Sequence, residues 1–165
     1  MACNHIPSER RKTTDLFLGV YLGMEKQEFY DHCWKLNRDG IVIQGPGNQS
    51  VEYKMTTDDS TGILVHFYPN FHNNRIYELP VLYSYEPWAP WNRQYWSDAL
   101  LTRIVQHFDS TYGKLDVLNH QTMGKVYFRI DGRRRINVFI KDDQYVQAVF
   151  TDLRVERELK RNQNK

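Results

Sequence analysis

The sequence predicts an α+β protein of two tandem repeats, each a helix followed by a three-stranded meander, with an antiparallel sheet and both helices packed on one of its faces. Two segments have the apolar period of a helix, and each is followed by three segments with strand-like alternation. Corresponding strands of the two halves are about 70–75 residues apart, which indicates a duplication. The predicted helices are 25–37 and 95–112, and the predicted strands are 50–55, 63–68, 75–85, 125–130, 135–141 and 144–151.

Each predicted helix has one apolar face and ends at a glycine. In the first helix, Phe29, Cys33 and Leu36 follow the i, i+4, i+7 spacing, and Gly40 follows the last turn. The second helix has the clearest pattern in the chain, and Gly113 ends it. Its apolar positions are Leu101, Ile104, Val105, Phe108 and Tyr112. The central position of the second helix, Phe108, is therefore a predicted core residue.

The hairpin near residue 131 is predicted from the faces of its two strands. We expect the apolar residues of both strands on the helix-covered face; they are Val126, Phe128, Ile130, Ile136, Val138 and Ile140. Cross-strand partners share a face, so the turn must have an odd length, three residues with a bulge, rather than a two-residue Asp131-Gly132 turn. The three arginines at 133–135 are then expected to be solvated at the tip, the alternative being contact with phosphate.

These patterns divide the chain into four parts. Residues 1–14 are predicted to form a flexible N-terminal tether, and 154–165 a basic C-terminal tail, because both ends are polar and lack periodicity. Between them lie the two α-β-β-β repeats, 15–87 and 88–153.

Composition and motifs exclude several functions. The formal charge is only +2 and the basic excess lies near the ends, so we expect no nucleic-acid surface. RNA binding by stacking on Tyr127 and Phe139 is disfavoured for the same reason. No apolar run approaches the roughly 18–20 residues that cross a bilayer. The six histidines lack metal-ligand spacing and no catalytic or cofactor-binding motif is present, so we expect no metal, no cofactor and no enzymatic activity.

The two cysteines do not make a disulfide framework. Cys33 lies on the apolar face of the first helix and is expected to be an inert buried thiol. Cys3 follows Met1-Ala2 and precedes a polar stretch, as the lipidated first residue of a mature bacterial lipoprotein would. The other interpretation of Cys3 is a chance cysteine near an N-terminus.

The sheet face opposite the helices is the predicted interaction surface, because it carries residue types enriched at interfaces. The candidates on this open face are His66, Tyr68, Tyr127, Arg129 and Phe139. We expect the partner to be another protein or a second copy. Alternatively, a third layer of structure covers this face. The segment 88–96 also holds three of the four tryptophans, including Trp88 and Trp91. These rings either seal the junction between the repeats or form an exposed interaction hot spot.

Residues 22–29 (Leu-Gly-Met-Glu-Lys-Gln-Glu-Phe), together with the tandem helix-then-strands order, resemble the superfamily of the β-lactamase inhibitor protein and the small outer-membrane-assembly lipoproteins. In that group a Gly-Met-Thr-like turn opens a helix that precedes a meander. The resemblance implies a non-enzymatic protein that binds another protein with its concave sheet and is often tethered to a membrane by an N-terminal lipid.

The leading hypothesis is therefore a bacterial protein-binding or structural domain of the cell envelope, facing the periplasm and anchored through Cys3, with membrane contact only through that lipid. The alternative is a cytoplasmic domain that binds a small molecule, or acts as an enzyme, through a pocket between sheet and helices.

Overall fold

The computed structural model describes residues 13–164 and confirms the α+β class with an antiparallel sheet. The helices of this part of the chain are α1 (Lys26–Arg38), α2 (Ser97–Tyr112) and α3 (Leu153–Gln163). None of them is long and apolar enough to cross a membrane. A short hairpin of β1 (Asp15–Phe17) and β2 (Val20–Tyr21) precedes α1. The other strands are β3 (Val42–Gln44), β4 (Val51–Thr56), β5 (Gly62–Phe67), β6 (Asn70–His72), β7 (Arg75–Tyr85), β8 (Asp116–His120), β9 (Gly124–Asp131), β10 (Arg134–Ile140) and β11 (Val146–Asp152).

Strands β3 to β11 form one sheet in the described part of the chain, in the order β3-β4-β5-β7-β11-β10-β9-β8, with β6 paired to the start of β7. Each half contributes one side of this sheet, and the two sides meet where β7 and β11, the last strands of the two halves, pair antiparallel. The sequence analysis predicted six strands and did not predict β3 and β8. These two strands form the two edges of the sheet.

The core lies between α1, α2 and one face of the sheet. The register sets Val65 opposite Tyr83, and Tyr83 opposite Val146, so these buried residues share that face. Phe108 of α2 is fully buried, as predicted, and its ring centroid lies 6.1 Å from that of Tyr83. Phe29 of α1 belongs to the same core cluster. A single core therefore joins the two halves.

The turn between β9 and β10 corrects the predicted register. Asp131 pairs with Arg134, so the turn contains two residues, Gly132 and Arg133, and the predicted three-residue bulged loop is wrong. Gly132 has φ +57, a left-handed conformation that glycine adopts without a steric penalty. Because a shift by one residue exchanges the two faces of a strand, Val126, Phe128 and Ile130 lie opposite to their predicted face. Ile136 is instead paired with Arg129.

Most of the predicted C-terminal tail is the helix α3 rather than an irregular segment. Asp152 caps α3, because its Oδ1 accepts a hydrogen bond from the backbone N–H of Arg154 at 3.0 Å. Arg135 donates two hydrogen bonds to Glu156 of α3, at 2.7 and 3.1 Å. The cap and this ion pair attach the helix to the sheet.

Candidate functional site

Two of the predicted interface residues, His66 and Phe139, lie on the open face of the sheet. They share one row across the sheet, separated by Leu82 and Gln147. All four side chains are half-buried. His66 Nε2 lies 2.7 Å from Glu52 Oε2, so this imidazole is paired with a carboxylate of the same sheet face.

Two others, Tyr127 and Arg129, lie on the helix-covered face, and their predicted position on the open face is wrong. The two-residue turn pairs them with Val138 and Ile136, and Tyr127 packs against the core. Arg129 donates to Asp131 Oδ2 at 2.8 Å and to the carbonyl oxygen of Lys114 at 3.1 Å. Arg129 therefore ties the segment after α2 to the sheet rather than presenting its charge to a partner.

The tryptophans of the segment between the halves divide into two kinds. Trp88 is half-buried and packs against the core, the position expected of a ring that seals the junction. Trp91 is 87% exposed, the position expected of an interaction residue. Each of the two interpretations of this segment thus fits one of its rings.

The most exposed apolar cluster of the first half lies in a groove of about 370 Å³ between α1 and edge strand β3. We call this the α1–β3 groove; its lining includes Phe29, Tyr30, Cys33 and Trp34 of α1, Val42, Ile43 and Gln44 of β3, and Val51 and Tyr68. Trp34 is 67% exposed and Ile43 is 57% exposed. Contiguous exposed apolar surface of this kind marks interaction sites on soluble proteins.

One wall of the groove contains two hydrogen-bonded tyrosines, Tyr30 and Tyr68. Tyr68, predicted to lie on the open face, instead follows β5 and packs edge-on against Phe29 and Phe71. Its hydroxyl is 2.8 Å from that of Tyr30, and this hydrogen bond, with burial, raises the pKa of Tyr68 to about 12. Tyr68 is therefore a neutral, positioned side chain at neutral pH.

The floor of the groove includes a thiol of low reactivity. Burial raises the pKa of Cys33 to about 11, because the thiolate loses hydration in this position. Cys33 is half-buried against the core. This position is consistent with the inert thiol expected on the apolar face of the first helix.

The other wall of the groove is an open strand edge. β3 pairs only with β4, and the N–H of Gly45 donates to the carbonyl oxygen of Ser50 at 2.8 Å. Because hydrogen-bonded pairs alternate along an antiparallel ladder, Val42 and Gln44 direct their backbone groups away from β4. The side chain of Asn37 donates to the carbonyl oxygen of Val42 at 2.9 Å, and the rest of this edge is available to a further strand.

Sequence reasoning missed the α1–β3 groove although one signal pointed to it. Tyr30 and Trp34 extend the apolar face of α1 beyond Phe29, Cys33 and Leu36, and make it wider than one core contact requires.

The opposite edge of the sheet is also exposed. All five residues of β8 are exposed, and Val117 and Leu118 project to opposite faces of the strand. Met123 in the turn of this hairpin and Ile130 in β9 are exposed large apolar residues too. The sheet therefore has exposed apolar residues on its edge strand β8 and an apolar groove at the other edge.

A cleft of about 520 Å³ lies between the sheet and the helix-covered side of the protein. This is the region in which the alternative hypothesis, a small-molecule or enzymatic domain, expects its pocket. Asp131 in this cleft accepts hydrogen bonds from Arg129 and Arg134, at 2.8 and 3.0 Å. Burial raises the pKa of Asp131, but these two arginines outweigh that effect and hold the pKa below its ordinary value. Burial raises the pKa of Tyr112 to about 12. These groups are paired with one another, which is the arrangement of a structural network.

Among residues 13–164, no group of three or more His, Cys, Asp or Glu side chains is placed to hold a metal ion. Cys3, the predicted lipidation site, lies outside the described residues.

The fold and its two exposed edges define the chain as an α+β protein with an antiparallel sheet that another strand can reach. No protein-family model matches the chain, and comparison with curated proteins and with solved structures gives no match.

Proposed function

We propose that the chain is a non-enzymatic protein-binding domain that takes an extended strand into the α1–β3 groove, and that this strand is β8 of a second copy. The observation that carries the proposal is an open strand edge flanked by exposed apolar side chains, Trp34 and Ile43. A strand added to such an edge gains main-chain hydrogen bonds, and its alternate side chains enter the neighbouring pockets.

β8 suits the groove because it is exposed along its whole length and carries one apolar residue on each face, Val117 and Leu118. In an antiparallel sheet continued from β3 into β8 of another copy, Leu118 can pair with Ile43 on the open face. This register places Val117 diagonal to Val42 on the helix-covered face, near Trp34. Apolar pairs across neighbouring strands are a main source of sheet stability. Neither edge strand carries a lysine or a proline, the residues that usually block edge-to-edge pairing.

The two edges differ, so this contact is heterologous: each copy offers β8 to the next copy and accepts β8 from the previous one. Such contacts build a ring if the rotation closes and an open chain if it does not. β3 has only three residues, so the interface is small and we expect association to increase steeply with protein concentration.

The test mixes two variants, each blocked at one edge. Ile43→Lys places a charge at the acceptor groove, and Val117→Lys places one on the donor strand; both positions are exposed, so both variants should fold. We expect the wild type to form species larger than a dimer in sedimentation equilibrium, and each variant alone to be monomeric. An equimolar mixture should form one-to-one dimers and nothing larger, because only one intact donor and one intact acceptor remain.

Phe139→Ser on the open face is the matched control, and it should associate like the wild type. A monomeric wild type, or a mixture that stays monomeric, would contradict the proposal. A Phe139→Ser variant that alone loses association would place the interface on the open face, as the sequence analysis predicted.

The superfamily resemblance and the tandem duplication stay proposals. They are supported by the order of elements, since each half consists of a helix followed by strands that progress from an edge to the centre of the sheet.

Anchoring of the chain to the cell envelope through Cys3 is also a proposal, and it rests on this resemblance. Metabolic labelling of the complete gene product with an alkyne fatty acid, in a bacterial host, should give a signal that Cys3→Ser abolishes. Cys33→Ser is the matched control and should retain the label. Equal labelling of both variants, or no labelling of the wild type, would contradict the anchor.

A further inference from the structure

A cavity of about 1020 Å³ lies between α3 and the β9–β10 turn. Its charged lining consists of Arg133 from the turn and Arg154, Arg157, Glu158 and Arg161 from α3. The cavity lies outside the α1–β3 groove and shares no lining residue with it.

Helical spacing brings the arginines together. Positions 154, 157 and 161 are related by i, i+3 and i+7, so they form one stripe along α3. The start of α3 is fixed against the turn, because the N–H of Leu153 donates to the carbonyl oxygen of Arg133 at 2.8 Å. The position of the stripe relative to the turn is therefore fixed at the start of α3.

The charge of this stripe is not neutralised within residues 13–164. Arg154 and Arg161 make no ion pair there, and Arg157 donates only to a backbone carbonyl of its own helix, Leu153 O, at 3.0 Å. Glu158 is the single acid of the lining, and its Oε1 lies 3.7 Å from His72. The three arginines exceed that one acid by two charges.

Arg133 also lines the cavity, but unlike the arginines of α3 it is paired within the protein. Its Nε lies 3.3 Å from Asp152, whose side chain is buried, and its Nη2 donates to the carbonyl oxygen of Leu22 at 3.1 Å. Arg133 is therefore a fixed, internally paired side chain beside the three unpaired ones. Like charges within one turn of a helix repel each other, and a bound anion would relieve that repulsion.

We propose that this cavity binds a small phosphate-bearing molecule. Guanidinium groups bind phosphate through paired, charge-assisted hydrogen bonds, and several of them around one concavity suit an organic phosphate or a polyphosphate. The volume lies at the upper end of the about 300–1,000 Å³ of small-molecule sites. The side-chain amide of Asn162 adds a further donor at the cavity wall.

A small ligand is favoured over nucleic acid by the distribution of charge. The chain has a formal charge of only +2, and the arginine stripe of α3 lines a single concave site.

The test measures pyrophosphate binding by isothermal titration calorimetry. Arg161→Gln should weaken binding about ten-fold, since it removes one charge-assisted contact. Lys160→Gln is the matched control: it removes the same charge from the neighbouring position, where Lys160 pairs with Glu156 and does not line the cavity. Lys160→Gln should change the dissociation constant by less than about two-fold. Circular dichroism should show both variants folded.

Four further outcomes bear on the proposal. No binding of pyrophosphate by the wild type, or equal loss in both variants, would overturn the proposal. Flotation with phosphatidylglycerol vesicles, lost in Arg161→Gln and competed by pyrophosphate, would support the site and identify a lipid headgroup as the source of the phosphate. Binding to a single-stranded oligonucleotide that pyrophosphate does not displace would assign the arginines to nucleic acid and overturn the small-ligand proposal.

Discussion

Phe108→Ala is expected to lower the free energy of unfolding by about 3–5 kcal/mol, the usual cost of truncating a fully buried phenylalanine. The Phe108 ring packs against Tyr83, Tyr112 and Phe150, with centroid distances of 6.1, 5.1 and 5.8 Å. Truncation removes apolar burial and leaves a cavity between α2 and the sheet, because these neighbours belong to a packed core that relaxes only in part. Urea denaturation followed by circular dichroism measures the change.

Gln106→Ala on the exposed side of the same helix is the control, and it should change the free energy of unfolding by less than about 0.5 kcal/mol. Equal denaturation midpoints for the two variants would show that α2 does not pack on the sheet through Phe108.

Arg134→Ala is expected to cost about 2–4 kcal/mol, because it breaks a buried charge network and leaves its partners incompletely paired. The side chain is only 3% exposed. Its guanidinium donates to Asp131 at 3.0 Å and to the carbonyl oxygen of Asp15, and lies 5.2 Å from the ring centroid of Tyr112. Arg129 remains beside Asp131 in the variant, which keeps the loss below that of a fully orphaned carboxylate.

Lys125→Ala, an exposed basic residue of β9, is the matched control and should change stability by less than about 0.5 kcal/mol. The sequence analysis expected Arg134 itself to be solvated at a hairpin tip. If the denaturant midpoint of Arg134→Ala equals that of Lys125→Ala, that expectation is correct and the buried network contributes nothing.

The sequence predicted elements with strong local signals. The period of Leu101, Ile104 and Phe108 defines α2, and the predicted strand 75–85 coincides with β7. Strands β3 and β8 were missed because edge strands are short and are exposed on one or both faces, so they lack the alternation that a half-buried strand needs. α3 was missed because its exposed face is charged and its apolar residues, Leu153, Val155 and Leu159, are few.

The candidate sites were predictable only in part. His66 and Phe139 lie on the predicted face. Tyr127 and Arg129 lie on the other face, because the turn is one residue shorter than predicted. The apolar pattern of Val126, Phe128 and Ile130 predicts that they lie on the core face, and this prediction is wrong. β9 lies one strand from the sheet edge, where Phe128 is half-buried and Ile130 is exposed, so the pattern there does not distinguish the faces.

By itself, the sequence determined the fold class, the two main helices and the long central strands, because apolar periodicity is a local property that survives without knowledge of the partner elements. Only the tertiary structure decided which residues form surfaces. The packing of α1 beside β3 creates the groove at Trp34 and Ile43, and the two-residue turn at Gly132 sets the faces of β9. The capping of α3 by Asp152 brings Arg154, Arg157 and Arg161 opposite Arg133. The groove and the arginine cavity each join residues from separate elements, and such contacts depend on register and layering that no single segment encodes.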